Sequence, residues 1–219
     1  MNRSDLLTIV MAHGDAFETV YRHSPFWHAL SSTVIFVTPE DNRLNIPGTL
    51  EVSVGKRGHD GPASNARVRK CFEIGASWPG KLVSLQEYDT ICTRLTAAML
   101  PPKGGVTAHH RKNNKPEKYT SPRYLWFPEL WDPAGMLLMQ HAMGELPEDA
   151  EYGVSDRYIG LAAHLAGIPV KNAHKHGWSY SQNTIKPEHH RDLQHAVAGG
   201  ACWFHGIKDE ATLRLAAVR

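Results

Sequence analysis

Apolar residues run unbroken from Leu6 to Met11 and stop at Ala12-His13-Gly14-Asp15. So short a run reads as a strand covered on both faces, followed by a turn from which Asp15 can cap a helix. From Asp15 to Leu30 apolar groups recur at helical spacing, interrupted by Pro25, and Thr33 to Thr38 (TVIFVT) is a second, β-branched strand closed by Pro39-Glu40-Asp41. The unit then repeats. Gly55, Gly58 and Gly61 mark a loop, and Pro62 opens a helix with Val68, Cys71, Phe72 and Gly75 on one side while Arg67, Arg69 and Lys70 project elsewhere. Trp78-Pro79-Gly80 ends that helix, and Leu82 to Leu85 is a third buried strand. Strands alternating with helices predict an α/β fold: a single-domain, open, mostly parallel sheet flanked by helices, Rossmann-like, with ligands at the carboxyl ends of its strands.

Between Pro101 and Pro122 the pattern changes. Lys103, Arg111, Lys112, Lys115 and Lys118 stand among His109, His110, Asn113 and Asn114 with one acid, Glu117, which predicts a flexible basic loop over 101–122. Beyond it the pattern predicts a strand (Tyr124 to Phe127), a helix (Pro133 to Met143), an acidic loop, and a helix from Asp156 to Ala166 capped by Ser155 and stopped by Gly167. A helix from Pro187 to Ala198 and a strand from Ala201 to Phe204 complete the fold and deliver His205-Gly206-Ile207-Lys208.

The 219 residues suit one domain over 1–219. With 24 Lys+Arg against 22 Asp+Glu the chain lacks the basic excess of a whole-surface nucleic-acid binder, so any polyanion must be met locally. No apolar run approaches the roughly 18 to 20 residues of a membrane span. Asp5 and His13 flank the first apolar run, unlike a signal peptide, and Cys71, Cys92 and Cys202 are too few and scattered for a disulfide framework. A cytoplasmic protein is expected. The 14 histidines direct attention to metal or phosphate chemistry.

Gln86-Glu87-Tyr88-Asp89 directly follows the third strand. In an extended chain residues i and i+2 point the same way, so Glu87 and Asp89 can present two carboxylates to one point at the sheet edge, a set suited to Mg²⁺ or Mn²⁺. Taken alone, the same residues also make an ordinary solvated acidic turn.

In the order of its motifs the chain resembles the GT-A type of nucleotide-sugar-dependent glycosyltransferase. Ile9 to Asp15 corresponds to the strand and turn that receive the nucleotide, and Glu87-Tyr88-Asp89 to the Asp-x-Asp metal motif, with Glu in place of the first Asp. Trp131 to Gly135 corresponds to a glycine-containing acceptor loop, and Val154-Ser155-Asp156 to the acceptor-side acid that opens a helix. Trp203-Phe204-His205-Gly206-Ile207-Lys208 resembles the C-terminal segment whose His completes the metal site and whose Lys meets the diphosphate. The resemblance implies a metal site of Glu87, Asp89 and His205, Asp156 as the catalytic carboxylate on the acceptor side, and a donor nucleotide, UDP among the candidates, near His13, Arg67, Tyr88, Gly206 and Lys208. It implies Mn²⁺ or Mg²⁺ as cofactor and a nucleotide-sugar donor as partner. The acceptor stays open among a glycan, a lipid-linked sugar, a protein and a modified nucleic-acid base.

The chemistry is consistent with that order. Charge gathers on the departing phosphate as the sugar leaves, where a metal and Lys208 would stabilise it. Asp156, kept ionised by the positive end of its helix, can take the acceptor's proton if the reaction inverts; as an alternative it is a helix-start acid that complements the dipole. Taken alone, Arg67 is more often a solvated helical arginine, and His13 reads equally as a polar strand end. A rival resemblance starts from Ala12-His13-Gly14-Asp15, similar to the Ala-His-Pro-Asp-Asp opening of zinc-dependent sugar de-N-acetylases but with Gly14 for Pro and Ala16 for the second Asp. A third class is a non-catalytic nucleotide- or nucleic-acid-binding α/β protein.

Overall fold

A computed structural model describes residues 2–58, 61–112, 123–147 and 155–218. Its strands are β1 (Leu6–Met11), β2 (Thr33–Thr38), β3 (Leu50–Ser53), β4 (Leu82–Glu87), β5 (Thr90–Cys92), β6 (Val106–Lys112), β7 (Arg123–Trp131), β8 (Val170–Asn172), β9 (Ser179–Ser181) and β10 (Trp203–His205). Its helices are α1 (Phe17–Leu30), α2 (Gly61–Ala76), α3 (Pro133–Gly144), α4 (Ser155–Leu165), α5 (His190–Ala198) and α6 (Glu210–Ala216).

Seven strands form one sheet in the order β3-β2-β1-β4-β7-β6-β8, and β5-β10-β9 form a second. In the large sheet only β7 runs against the others, pairing antiparallel with β4 and β6. The α/β sheet is therefore open and mostly parallel, as the alternating pattern predicts. β1 lies at its centre, and all six of its residues are buried, which explains the unbroken apolar run: a parallel strand covered on both faces has no wet side. Leu7, Ile9 and Met11 pack with Val83 and Leu85 under α2, α3 and α4. On the opposite face Val10 meets α1 through Val20 and Trp27, while Leu6 and Leu82 meet Cys92 and Trp203 of the small sheet.

Two expectations are corrected. Residues 106–112 are a strand of the large sheet and not part of a loop, with Val106, Ala108 and His109 buried; residues 113–122 lie outside the described residues. Trp131 to Gly135 is no open loop: Trp131 is buried at the end of β7, Asp132 caps α3, and a side chain at Gly135 would press on the Gly104 carbonyl at 2.9 Å. Because β7 is antiparallel, this segment sits at the sheet edge opposite to Glu87. Among the described residues, no helix is long and apolar enough to cross a membrane.

Candidate functional site

Glu87 is the last residue of β4, and Asp89 lies in the two-residue turn that leads into β5. The carboxylates converge through this turn, and not through the extended spacing that predicts it. The turn is fixed from several sides. Thr90 Oγ1 accepts from the Glu87 amide at 3.0 Å, and the Tyr88 amide donates to the Met11 carbonyl at 3.0 Å. The Asp89 carbonyl accepts from both Gly206 and Ile207, at 3.1 and 3.0 Å. This pair of bonds ties the C-terminal segment to the turn and sets the ring of His205 beside the carboxylates.

His205 Nε2 lies 3.4 Å from Glu87 Oε2 and 3.6 Å from Asp89 Oδ1, while its Nδ1 is 3.2 Å from Ser181 Oγ. A ring nitrogen occupied by Ser181 leaves Nε2 to face the acids, an orientation suited to ligation. Ser155 Oγ, at the start of α4, donates to Glu87 Oε1 at 3.2 Å. One ligand atom each from Glu87, Asp89 and His205 fall within 4.8 Å of one another. Lys208 Nζ reaches Asp89 Oδ2 at 3.6 Å and stands 5.9 Å from the centre of the Tyr88 ring.

Burial makes this group electrostatically unsettled. Asp89 is 3% exposed, and its Oδ1 accepts no hydrogen bond. Its carboxyl is raised above the usual range by burial and by Glu87, against the lowering charges of His205 and Lys208. Burial also depresses His205, but the hydrogen bond to Glu87 and the charges of Asp89 and Glu87 outweigh it and raise the ring overall. A buried, under-satisfied carboxylate beside a second carboxylate and an imidazole is a donor set that a divalent cation completes.

Asp156 departs from expectation in its charge. Burial first, then the charge of Glu87, lift its carboxyl to about 7, overriding the helix terminus that was to keep it ionised. The arrangement still suits proton transfer, because a base works best with a pKa near the working pH. Val154, part of the same motif, lies outside the described residues.

A cleft opens beside the carboxylates and is lined by His13, Ser64, Arg67, Glu87, Tyr88 and Ser155. Arg67 is not a solvated arginine. It is 9% exposed and donates to the carbonyls of Lys56 (2.6 Å) and Gly58, because the glycine loop folds back over α2. His13 meets Tyr88 edge to face at 4.9 Å. Gly206 contributes through its backbone: φ is +90°, and a Cβ there would strike the Gln182 carbonyl.

The rival zinc motif departs for structural reasons. The Gly14 amide donates to the Asn42 carbonyl at 2.8 Å, a bond that a proline cannot make, and Asp15 is paired with Arg57. Sequence reasoning missed His23 and Trp27 of α1, which bond to the carbonyls of Tyr88 and Thr90 behind the turn; their helical spacing marked only a buried face.

No family model and no curated protein sequence matches the chain. Solved structures match its fold. The bifunctional glycosyltransferase WbbM aligns with TM-score 0.52 at 10% identity over 94% of this chain, which spans about half (46%) of that longer one. An active-site mutant of LgtC aligns with TM-score 0.51 at 10% identity, covering 95% of this chain and 93% of that one. A glycosyltransferase involved in glycosylation of the major capsid of PBCV-1 aligns with TM-score 0.50 at 8% identity, covering 96% and 97%. The chain has the fold of the GT-A-type glycosyltransferases.

Proposed function

We propose that the protein is a glycosyltransferase that moves a sugar from a nucleotide-sugar donor, with UDP as the first nucleotide to test, to an acceptor hydroxyl, using Mn²⁺ or Mg²⁺. The observation that carries this reading is the meeting of Glu87, Asp89 and His205 within 4.8 Å, beside a cleft at the carboxyl edge of the sheet. The fold likeness to glycosyltransferases supports it.

These three residues would hold the cation, whose charge serves the departing diphosphate. Lys208 offers a second positive charge next to Asp89, placed to neutralise phosphate oxygens as the glycosidic bond lengthens. His13, Arg67 and Tyr88 line the space left for the nucleotide, and Gly206 lets the backbone turn tightly between His205 and Lys208. Asp156, on the α4 side, takes the proton of the attacking hydroxyl in an inverting transfer.

The test is thermal stability with Mn²⁺ and UDP, separately and together, followed by a panel of nucleotide sugars scored for hydrolysis. A rise that needs both components supports the reading, because a ligand that binds only the folded state at 100 times its Kd adds about 2.7 kcal/mol. No joint effect with any nucleoside diphosphate, or stabilisation by Zn²⁺ alone, overturns it.

A further inference from the structure

The ends of β6 and β7 carry a cation that the donor site does not use. Because β7 is antiparallel, its first residues lie at the same sheet edge as the end of β6 and as Glu87, with Arg111 opposite Tyr124 and His109 opposite Trp126. Arg111 Nε donates to His109 Nε2 at 2.9 Å. That bond makes Nε2 an acceptor and places the ring proton on Nδ1, which donates to Ser179 Oγ at 3.0 Å. The guanidinium lies 4.8 Å from the centre of the Trp126 ring, and Trp126 in turn meets the His205 ring at 5.7 Å. Arg111 is thus oriented by a hydrogen bond and a ring face next to the candidate metal histidine.

Among the described residues no carboxylate pairs with Arg111. His109, 1% exposed, supplies an acceptor without a negative charge; burial first, then the Arg111 cation, lower its pKa to about 3. Arg157 brings a second guanidinium to this edge, 5.1 Å from the Tyr124 ring centre. With Nε committed to His109, the remaining nitrogens of the Arg111 fork can grip two oxygens of one anion.

That anion is not the donor's. The donor cleft is lined from β1, α2, β4 and the start of α4, whereas Arg111 stands two strands beyond β4, on the far side of Trp126 and His205. We infer that the acceptor is an anionic sugar whose phosphate or carboxylate docks on Arg111, so that a hydroxyl of the same sugar reaches Asp156. This rests on the glycosyl-transfer reading and names the substrate class of that site.

The experiment is a ligand-observed NMR titration of sugar phosphates, uronic acids and the matching neutral sugars against wild type, Arg111→Gln and Arg111→Lys, with Mn²⁺ and UDP present. Acidic sugars should bind and neutral ones should not. Arg111→Gln should weaken acidic-sugar binding about tenfold or more, Arg111→Lys by an intermediate factor, with Mn²⁺-dependent UDP binding unchanged in both. Comparing the phosphate and uronate arms distinguishes the two oxyanions. Equal binding of neutral and acidic sugars, no binding of any acidic sugar, or full affinity in Arg111→Gln each overturns the inference. Loss of the joint Mn²⁺ and UDP response in wild type would instead overturn the donor reading, while acidic-sugar binding still reports on Arg111.

Discussion

His23 holds the Tyr88 carbonyl from behind the carboxylate turn, with Nδ1 2.9 Å from the oxygen. A carbonyl only accepts, so Nδ1 carries the proton, and burial keeps the ring neutral with its pKa lowered to about 4. One helical turn later Trp27 Nε1 donates to the Thr90 carbonyl at 3.1 Å. α1 therefore grips the turn on both sides of Asp89, so helix packing sets where the carboxylates point.

From this contact follows a graded pair of variants. His23→Leu removes the donor from a buried carbonyl, a loss of about 1–3 kcal/mol in stability, and should weaken Mn²⁺ binding by loosening the turn. His23→Asn keeps an N–H near the position of Nδ1 and should recover most of the affinity. Calorimetry on both decides: a folded Leu variant with wild-type Mn²⁺ affinity would reduce His23 to a packing role.

Asp89→Asn should separate stability from binding. The carboxylate is buried with one oxygen accepting no hydrogen bond, so an amide of the same size relieves repulsion with Glu87 and leaves the bonds from Gly206 and Ile207 to the Asp89 carbonyl in place. In the absence of metal at pH 8, the variant should melt at or above the wild-type temperature. The rise on adding Mn²⁺ should vanish. A retained Mn²⁺ response would remove Asp89 from the cation site.

His205→Ala and Lys208→Ala should part company. Imidazole can ligate a metal and an ammonium cannot, so His205→Ala should weaken Mn²⁺ and nucleoside diphosphate together. Lys208 lies 3.6 Å from Asp89 Oδ2, where its charge opposes a second cation. Lys208→Ala should therefore bind Mn²⁺ alone at least as tightly as wild type while losing affinity for the diphosphate. Identical Mn²⁺ and diphosphate affinities across wild type and both variants would make the segment purely structural.

The legible parts of this molecule were those whose residue pattern had one physical meaning. Leu6–Met11 and Leu82–Leu85 could only be strands buried on both faces, and they fix the centre of the sheet. The motif order joined Glu87, Asp89 and His205 although the last two lie 116 positions apart. β6 was hidden because His109 and Arg111 are polar, and apart from each other their partners Ser179 and Trp126 lie far along the chain or on the next strand. The burial of Arg67 was not legible because helical periodicity cannot foresee the 56–58 backbone folding onto it. β5, β8 and β9 each span three residues, too few for any periodicity to register.

Asp156 gives a prediction with a definite sign in pH. Its carboxyl, lifted to about 7 by burial and by Glu87, must be ionised to accept a proton, so transfer should rise with pH through a limb set by that ionisation. Asp156→Asn should remove that limb and slow transfer by roughly 10²- to 10⁴-fold, with donor affinity little changed. Stability moves the opposite way. A carboxyl whose pKa is higher folded than unfolded contributes stability below about 4 and loses it as pH rises toward 7, a change of up to roughly 4 kcal/mol. His23 and His109, lowered to about 4 and about 3, act in the reverse sense and lose their contribution as pH falls below 6.5, so the raw stability curve mixes both. The difference between wild type and Asp156→Asn isolates the carboxyl: in metal-free protein the variant should gain on wild type between pH 4 and 7 and run parallel to it above. A difference that does not vary with pH would return Asp156 to the role of a helix-start acid, and full turnover of the variant on a verified acceptor would take it out of the mechanism.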